Sequence, residues 1–189
     1  MNRDSYLLLV TGVLLGFIAT YLVVRDRDLG PVVIRDAVVT APAASAETME
    51  RDLQMIQQLE ARLIEMPDDF QLLVDLANLY FEIESFQGAI AYYERALELR
   101  PDDPSLRTDM ATALYYSGQV DQAIVEFETT LVIAPNHPQT LFNMGVVLLQ
   151  ERDDRDGTIA LWEQLIRMNP SYPQRDLVQT EIDRVKNAP

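Results

Sequence analysis

The 189 residues are 48% hydrophobic, enough to bury one modest domain, and 30 acids against 15 bases give a net charge of −15. Such an acidic chain repels nucleic acid, whose binding depends on Lys and Arg neutralising phosphate, so no nucleic-acid partner is expected. The absence of cysteine excludes disulfides, thiolate zinc sites and cysteine nucleophiles. The charge is unevenly placed: residues 1–46 hold four Arg and four Asp, leaving the whole acidic excess to 47–189.

After a short tail at 1–5, residues 6–24, YLLLVTGVLLGFIATYLVV, are uncharged and mostly apolar. Their length as a helix roughly matches the ~30 Å hydrocarbon core of a bilayer. Tyr6 and Tyr21 stand near its ends, where aromatic rings favour the interface. A cleaved signal peptide would have a shorter apolar run and a prompt small-x-small site. Here the run ends in Arg25-Asp26-Arg27-Asp28, and Ala41-Pro42-Ala43 and Ala44-Ser45-Ala46 come far downstream. An uncleaved single-pass transmembrane helix is therefore expected. Gly12 and Gly16 have the spacing that lets two membrane helices approach, so a self-associating structural membrane protein, a homo-oligomer held by these glycines and by the ends of the folded domain, is a competing expectation. Arg3 before the span against Arg25, Arg27 and Arg35 after it places the following domain on the cytoplasmic side.

Residues 25–46 form a tether: LGPVVIRDAVVTAPAASA has no helical period, two prolines and a run of small residues. From 47 onward a spacing of 34 residues returns the same pattern. Leu73, Leu76, Ala77, Tyr80, Ala89, Tyr93, Ala96 and Pro101 are followed by Arg107, Met110, Ala111, Leu114, Ala123, Phe127, Thr130 and Pro135. That period with two helices per unit predicts an all-α solenoid. Pro and Gly punctuation predicts helices at 47–66, 70–83, 87–100, 105–117, 121–133, 138–151, 156–168 and 174–187. Small Ala77, Ala89, Ala111, Ala123 and Gly145 mark close helix crossings, while Tyr80, Tyr93, Phe127 and Trp162 fill space between pairs. Aspartates after Pro67 and Pro101 suit the start of the next helix.

These residues resemble the tetratricopeptide repeat (TPR) family, most closely in EIESFQGAIAYYERALELRPDD and SGQVDQAIVEFETTLVIAPNH. The resemblance divides 47–189 into a half repeat at 47–69, repeats at 70–103, 104–137 and 138–172, and a capping helix at 174–187. Leu73, Arg107 and Leu141 stand where the family has Trp, and the third repeat carries one extra residue between Glu151 and Gly157. The segment LFNMGVVLLQERDDRDGTIALWEQLIRMNPSYPQ and the anchor-plus-repeats layout are similar to bacterial membrane-anchored TPR proteins of cytochrome c assembly. That likeness implies an inner-membrane protein with its repeats outside the cytoplasm, against the charge rule, and the two orientations stay open.

The resemblance implies a noncatalytic scaffold or assembly factor that binds a protein or peptide in a concave groove lined by the first helix of each pair. Carried onto this chain, the groove residues are Gln71, Val74, Asn78, Phe81 and Glu82, then Ser105, Thr108, Thr112, Tyr115 and Tyr116. The third repeat adds Gln139, Phe142, Val146, Leu149 and Gln150. The competing reading has Phe81, Tyr115 and Phe142 covered by the terminal helices or placed in the core. A family subclass grips a C-terminal carboxylate with Lys and Arg, but Val74, Asp109 and Gln139 stand at those places, and only Asn78 and Asn143 fit the polar pattern. Asp154, Asp156, Gly157 and Glu163 approach a calcium loop, yet Arg152 occupies the first ligand position. His137, the sole histidine, reads as a solvated turn residue. No phosphate loop or nucleophile elbow is present, so neither enzymatic activity nor a cofactor or metal is expected.

Overall fold

A computed structural model describes residues 46–188. The expected membrane span at 6–24 and nearly all of the tether lie outside the described residues; Ala46, assigned to the tether, opens the first helix. Among the described residues no helix is long and apolar enough to cross a membrane.

Among the described residues eight α-helices follow one another: α1 Ala46–Glu65, α2 Phe70–Glu82, α3 Phe86–Leu99, α4 Pro104–Tyr116, α5 Val120–Ile133, α6 Pro138–Val147, α7 Arg155–Met168 and α8 Arg175–Asn187. Each packs on its neighbours in sequence, α2 on α3, α3 on α4, α4 on α5 and onward, and α4 also touches α6. This nearest-neighbour stacking makes an all-α solenoid.

Starts and stops follow from local chemistry. Asp69 accepts the Leu72 N–H at 3.1 Å and Asp103 the Leu106 N–H at 3.0 Å, each supplying one of the orphan donors at a helix start. Pro104 and Pro138 occupy the first turn, where a missing N–H costs nothing. At the C-terminus of α2 the chain closes a Schellman motif: Ser85 N–H reaches the Tyr80 carbonyl at 2.8 Å and Glu84 N–H the Phe81 carbonyl at 2.9 Å. The motif repeats after α4, with Gln119 on Leu114 and Gly118 on Tyr115. Its left-handed residue is Gly118 in one repeat (φ 83°) and Glu84 in the other (φ 60°).

The third repeat differs from its expected helix at 138–151. After Val147 the helix widens into a π turn, Leu148–Arg152, which ends at Asp153 in the left-handed region (φ 52°). The extra residue is absorbed there. The reversal that joins Ser85 to Tyr80 becomes Asp154 N–H on the Leu148 carbonyl at 3.1 Å, one residue wider.

The core has two parts. The first runs from Ile56 on α1 to Met144 and Val147 on α6 and includes the fully buried Ala77, Ala89, Ala111 and Ala123. The second joins Leu141, Phe142, Val146 and Leu149 to Trp162 and Leu165 of α7 and Val178, Ile182 and Val185 of α8. Trp162 is fully buried, lies parallel to Phe142 with centroids 5.8 Å apart, and donates its indole N–H to the Phe142 carbonyl at 3.1 Å. A methyl at Gly145 would meet the Trp162 Nε1 at 2.4 Å, so only glycine fits beside this ring.

Two substitutions test these features by urea denaturation. Glu84→Gly should stabilise by about 0.5–1 kcal/mol, because relief of left-handed strain exceeds the added freedom of the unfolded chain. Gly145→Ala should cost about 1–3 kcal/mol through overpacking and shift the emission of Trp162, the single tryptophan.

Candidate peptide-binding groove

The first helices of the three pairs, α2, α4 and α6 with the π turn that extends it, carry side chains in a repeated 4-3-4 spacing that places them along one side. The columns are Gln71, Asp75, Asn78 and Glu82; Ser105, Asp109, Thr112 and Tyr116; and Gln139, Asn143, Val146 and Gln150. Between them lies a cleft of about 290 Å³ lined by Asn78, Phe81 and Glu82 of α2, Tyr93 of α3, Asp109 and Thr112 of α4, and Gln139 and Asn143 of α6.

Hydrogen bonds stitch the lining across the repeats. Tyr93, almost fully buried, donates its hydroxyl to Asn78 Oδ1 at 2.7 Å. Gln139 Nε2 donates to Asp109 Oδ1 at 2.9 Å. Thr112 donates to the Thr108 carbonyl at 2.8 Å, so its oxygen must accept from Asn143 Nδ2 at 3.1 Å. That commitment fixes the Asn143 amide and leaves its buried Oδ1 without a partner. An orphaned buried acceptor costs about 1–3 kcal/mol.

The electrostatics follow from burial. Desolvation pushes the Asp109 carboxyl up to about 6, against the pull of the Gln139 N–H and with a smaller push from Asp103. Burial raises the Tyr93 hydroxyl as well, and the carboxylates of Asp109 and Glu82 add to it. Both charged groups lining the cleft are acids.

The expected groove residues divide. Asn78, Phe81, Glu82, Thr112 and Gln139 line the cleft. Gln71 sits outside it, exposed and donating to Asp75 Oδ1 at 2.8 Å. Tyr115 and Gln150 form a separate bridge, hydroxyl to Oε1 at 2.6 Å, towards the far ends of α4 and α6. Tyr116 stacks on Phe86 at 5.4 Å. Val74 packs on the first core cluster; Phe142, Val146 and Leu149 are buried in the second. Phe81 is also largely buried, edge-on to Phe86 and Tyr116, while Tyr115 is only half-buried.

His137 corrects the sequence expectation of a solvated turn residue. It stands one repeat after the capping Asp103, half-buried, with Nδ1 2.7 Å from Thr140 Oγ1 and Nε2 3.3 Å from Ser105 Oγ. Burial lowers its affinity for a proton. Thr140 in turn lies 2.6 Å from the buried Thr108, so this chain ties the starts of α4 and α6. The acids that approach a calcium loop have other partners: Asp154 Oδ1 caps α7 at Gly157, and Glu163 accepts from Lys186 Nζ at 2.6 Å.

Residues 76–142 match the family model described as Tetratricopeptide repeat. A search of curated proteins finds no match. Among solved structures, a tetratricopeptide repeat protein from Parabacteroides merdae superposes with a TM-score of 0.62 at 17% identity, over 71% of this chain and 54% of that one. The chain thus spans about half the length of that protein. YrrB, a TPR protein with an unusual peptide-binding site, gives 0.61 at 21% identity over 71% of this chain and 67% of its own. The first TPR of Spaghetti (RPAP3), bound to the HSP90 peptide SRMEEVD, gives 0.55 at 15% identity over 62% and 90%. The described residues thus form an all-α, TPR-like solenoid, and 76–142 carry the match to the family model.

The raised carboxyl gives a stability prediction with a definite sign. Its folded affinity for a proton exceeds the unfolded one, near 3.8, so ionisation weakens the fold as pH rises from about 4 through 6. Asp109→Asn should therefore stabilise by on the order of 2 kcal/mol at pH 7.5 and by almost nothing at pH 3.5, read from urea midpoints at the two pH values.

Proposed function

We propose that this protein is a noncatalytic protein-binding scaffold or assembly factor whose concave groove holds a segment of a partner protein. The observation that carries this reading is the cleft shared by three successive repeats, whose floor keeps an unpaired buried acceptor at Asn143 and a desolvated carboxylate at Asp109. Groups of this kind cost stability in the free protein and recover it only when a ligand supplies the missing bonds. A peptide does so along the whole groove, as the neighbours described with peptide sites suggest.

The apolar span at 6–24 holds the groove beside a bacterial inner membrane and raises its effective concentration for partners confined there. Assembly of cytochrome c or of another envelope complex is the setting that the sequence resemblance favours, with the repeats on the periplasmic side.

Photo-crosslinking in cells tests the groove. A benzophenone amino acid at Asn78 or Gln139, both on the concave face, should yield discrete adducts with another protein. The same probe at Val132, which is 82% exposed on α5, should not. Adducts of equal yield from Val132, or none from the concave positions, would remove the groove from the function. Proteolysis of spheroplasts reports the orientation: digestion of 47–189 with the inner membrane intact agrees with a periplasmic domain, and protection refutes it.

A further inference from the structure

The cleft has a chemical preference that a general peptide groove would lack. Of its eight lining residues, the two that carry charge, Glu82 and Asp109, are both carboxylates. Asn143 lines the cleft, is 3% exposed and donates from Nδ2 to Thr112, while its Oδ1 accepts no hydrogen bond. Gln139 takes one oxygen of Asp109, which leaves that carboxylate further lone pairs to fill. Phe81 and Tyr93 supply ring walls beside these acceptors.

An occupant must satisfy acceptors and offset negative charge. An anion fails on charge. An uncharged apolar side chain would exclude water from Asp109 and Asn143 and return no hydrogen bond. A guanidinium or ammonium does both, because its hydrogen-bonding groups are all donors and it carries the opposite charge. The hydrocarbon stem of such a side chain packs on aromatic rings, and a guanidinium stacks on them. The Asn78 amide is exposed and its Oδ1 already accepts from Tyr93, so its N–H donors remain to meet a backbone carbonyl of the same partner.

We propose that this cleft is a recognition pocket for an arginine or lysine side chain of the partner segment bound in the groove; the proposal rests on the groove reading above. The pocket opposes the chemistry of a carboxylate-gripping groove: it selects basic segments and rejects acidic ones.

The test uses the full-length protein and the pentapeptide acetyl-Ala-Ala-Arg-Ala-Ala-amide, with norleucine and glutamate counterparts at the central residue. Side-chain amide resonances of Asn143 and Gln139 report occupancy of the floor. The arginine peptide should shift both saturably and bind at least tenfold more tightly than the norleucine peptide, with the glutamate peptide weakest. Asp109→Asn keeps an acceptor for Gln139 while removing the charge, and should reduce arginine-peptide affinity about tenfold. Glu82→Gln, at an exposed position where folding is not at stake, should reduce it by a smaller factor.

Equal or tighter binding of the norleucine or glutamate peptide would overturn the pocket assignment while leaving a groove in place. Equal affinity of free acetylarginine amide would assign the site to a small cation and overturn a peptide pocket. Absence of a shift with every probe also overturns it, and the crosslinking result then decides separately whether the groove binds anything.

Discussion

A helix pair of this size has more apolar surface than its two members can cover, so each pair folds only against the next. Close approach within each pair depends on complementary volumes at the crossing. In the first two repeats each helix of the pair brings a fully buried alanine, Ala77 and Ala89, then Ala111 and Ala123, and the second helix adds a buried ring, Tyr93 or Phe127. The third repeat solves it differently. Gly145 replaces the alanine of the first helix, and Trp162 replaces the smaller ring. Removing a methyl on one side and enlarging the ring on the other keeps the crossing filled. The indole then anchors Phe142 and, through the same cluster, the side chains of α8 that close the solenoid.

The one-residue insertion has to be accommodated without disturbing this stacking. It falls in the π turn at Leu148–Arg152, downstream of Gln139 and Asn143. Both residues therefore keep the 34-residue register with α4 that lets them reach Asp109 and Thr112. The widened turn delivers Asp154 to the start of α7, where it caps the helix. A local irregularity is thus confined to the end of α6, and the floor of the cleft lies before it.

The architecture was legible because a solenoid writes its packing as a period. Alanines, prolines and capping aspartates recur every 34 residues, and each has a local reason to be where it is. Helix ends came out close to the positions marked by turn residues, except where the insertion redirected α6. The groove was less legible. Taking the 74 and 81 columns as concave placed Phe142 and Leu149 in the groove, although inter-pair packing buries them. Asp109 and Asn143 were weighed only as places in a carboxylate-gripping groove and so stayed out of the groove set. The signal was available in the 4-3-4 stripe, whose members lie along one side. His137 was misread because, besides the local contact with Thr140, its ring reaches Ser105 thirty-two residues away, which no local pattern reports. Burial of Asp109 is likewise a property of three helices together, invisible along one.

The distribution of imperfection in the molecule bears on its use. The cluster around Trp162 is apolar and buried, and its indole N–H is bonded. The cleft between α2, α4 and α6 instead holds a carboxylate whose proton affinity burial has raised and an amide oxygen with no donor. An aliphatic or fully paired lining would give a more stable solenoid, since unpaired polar groups oppose folding. Groups of this kind on a concave surface are expected where binding uses them, because a ligand restores what folding gave up. Their sign matters as much as their cost. Every one of these groups accepts protons or hydrogen bonds, so the complement that relieves them is a donor carrying positive charge.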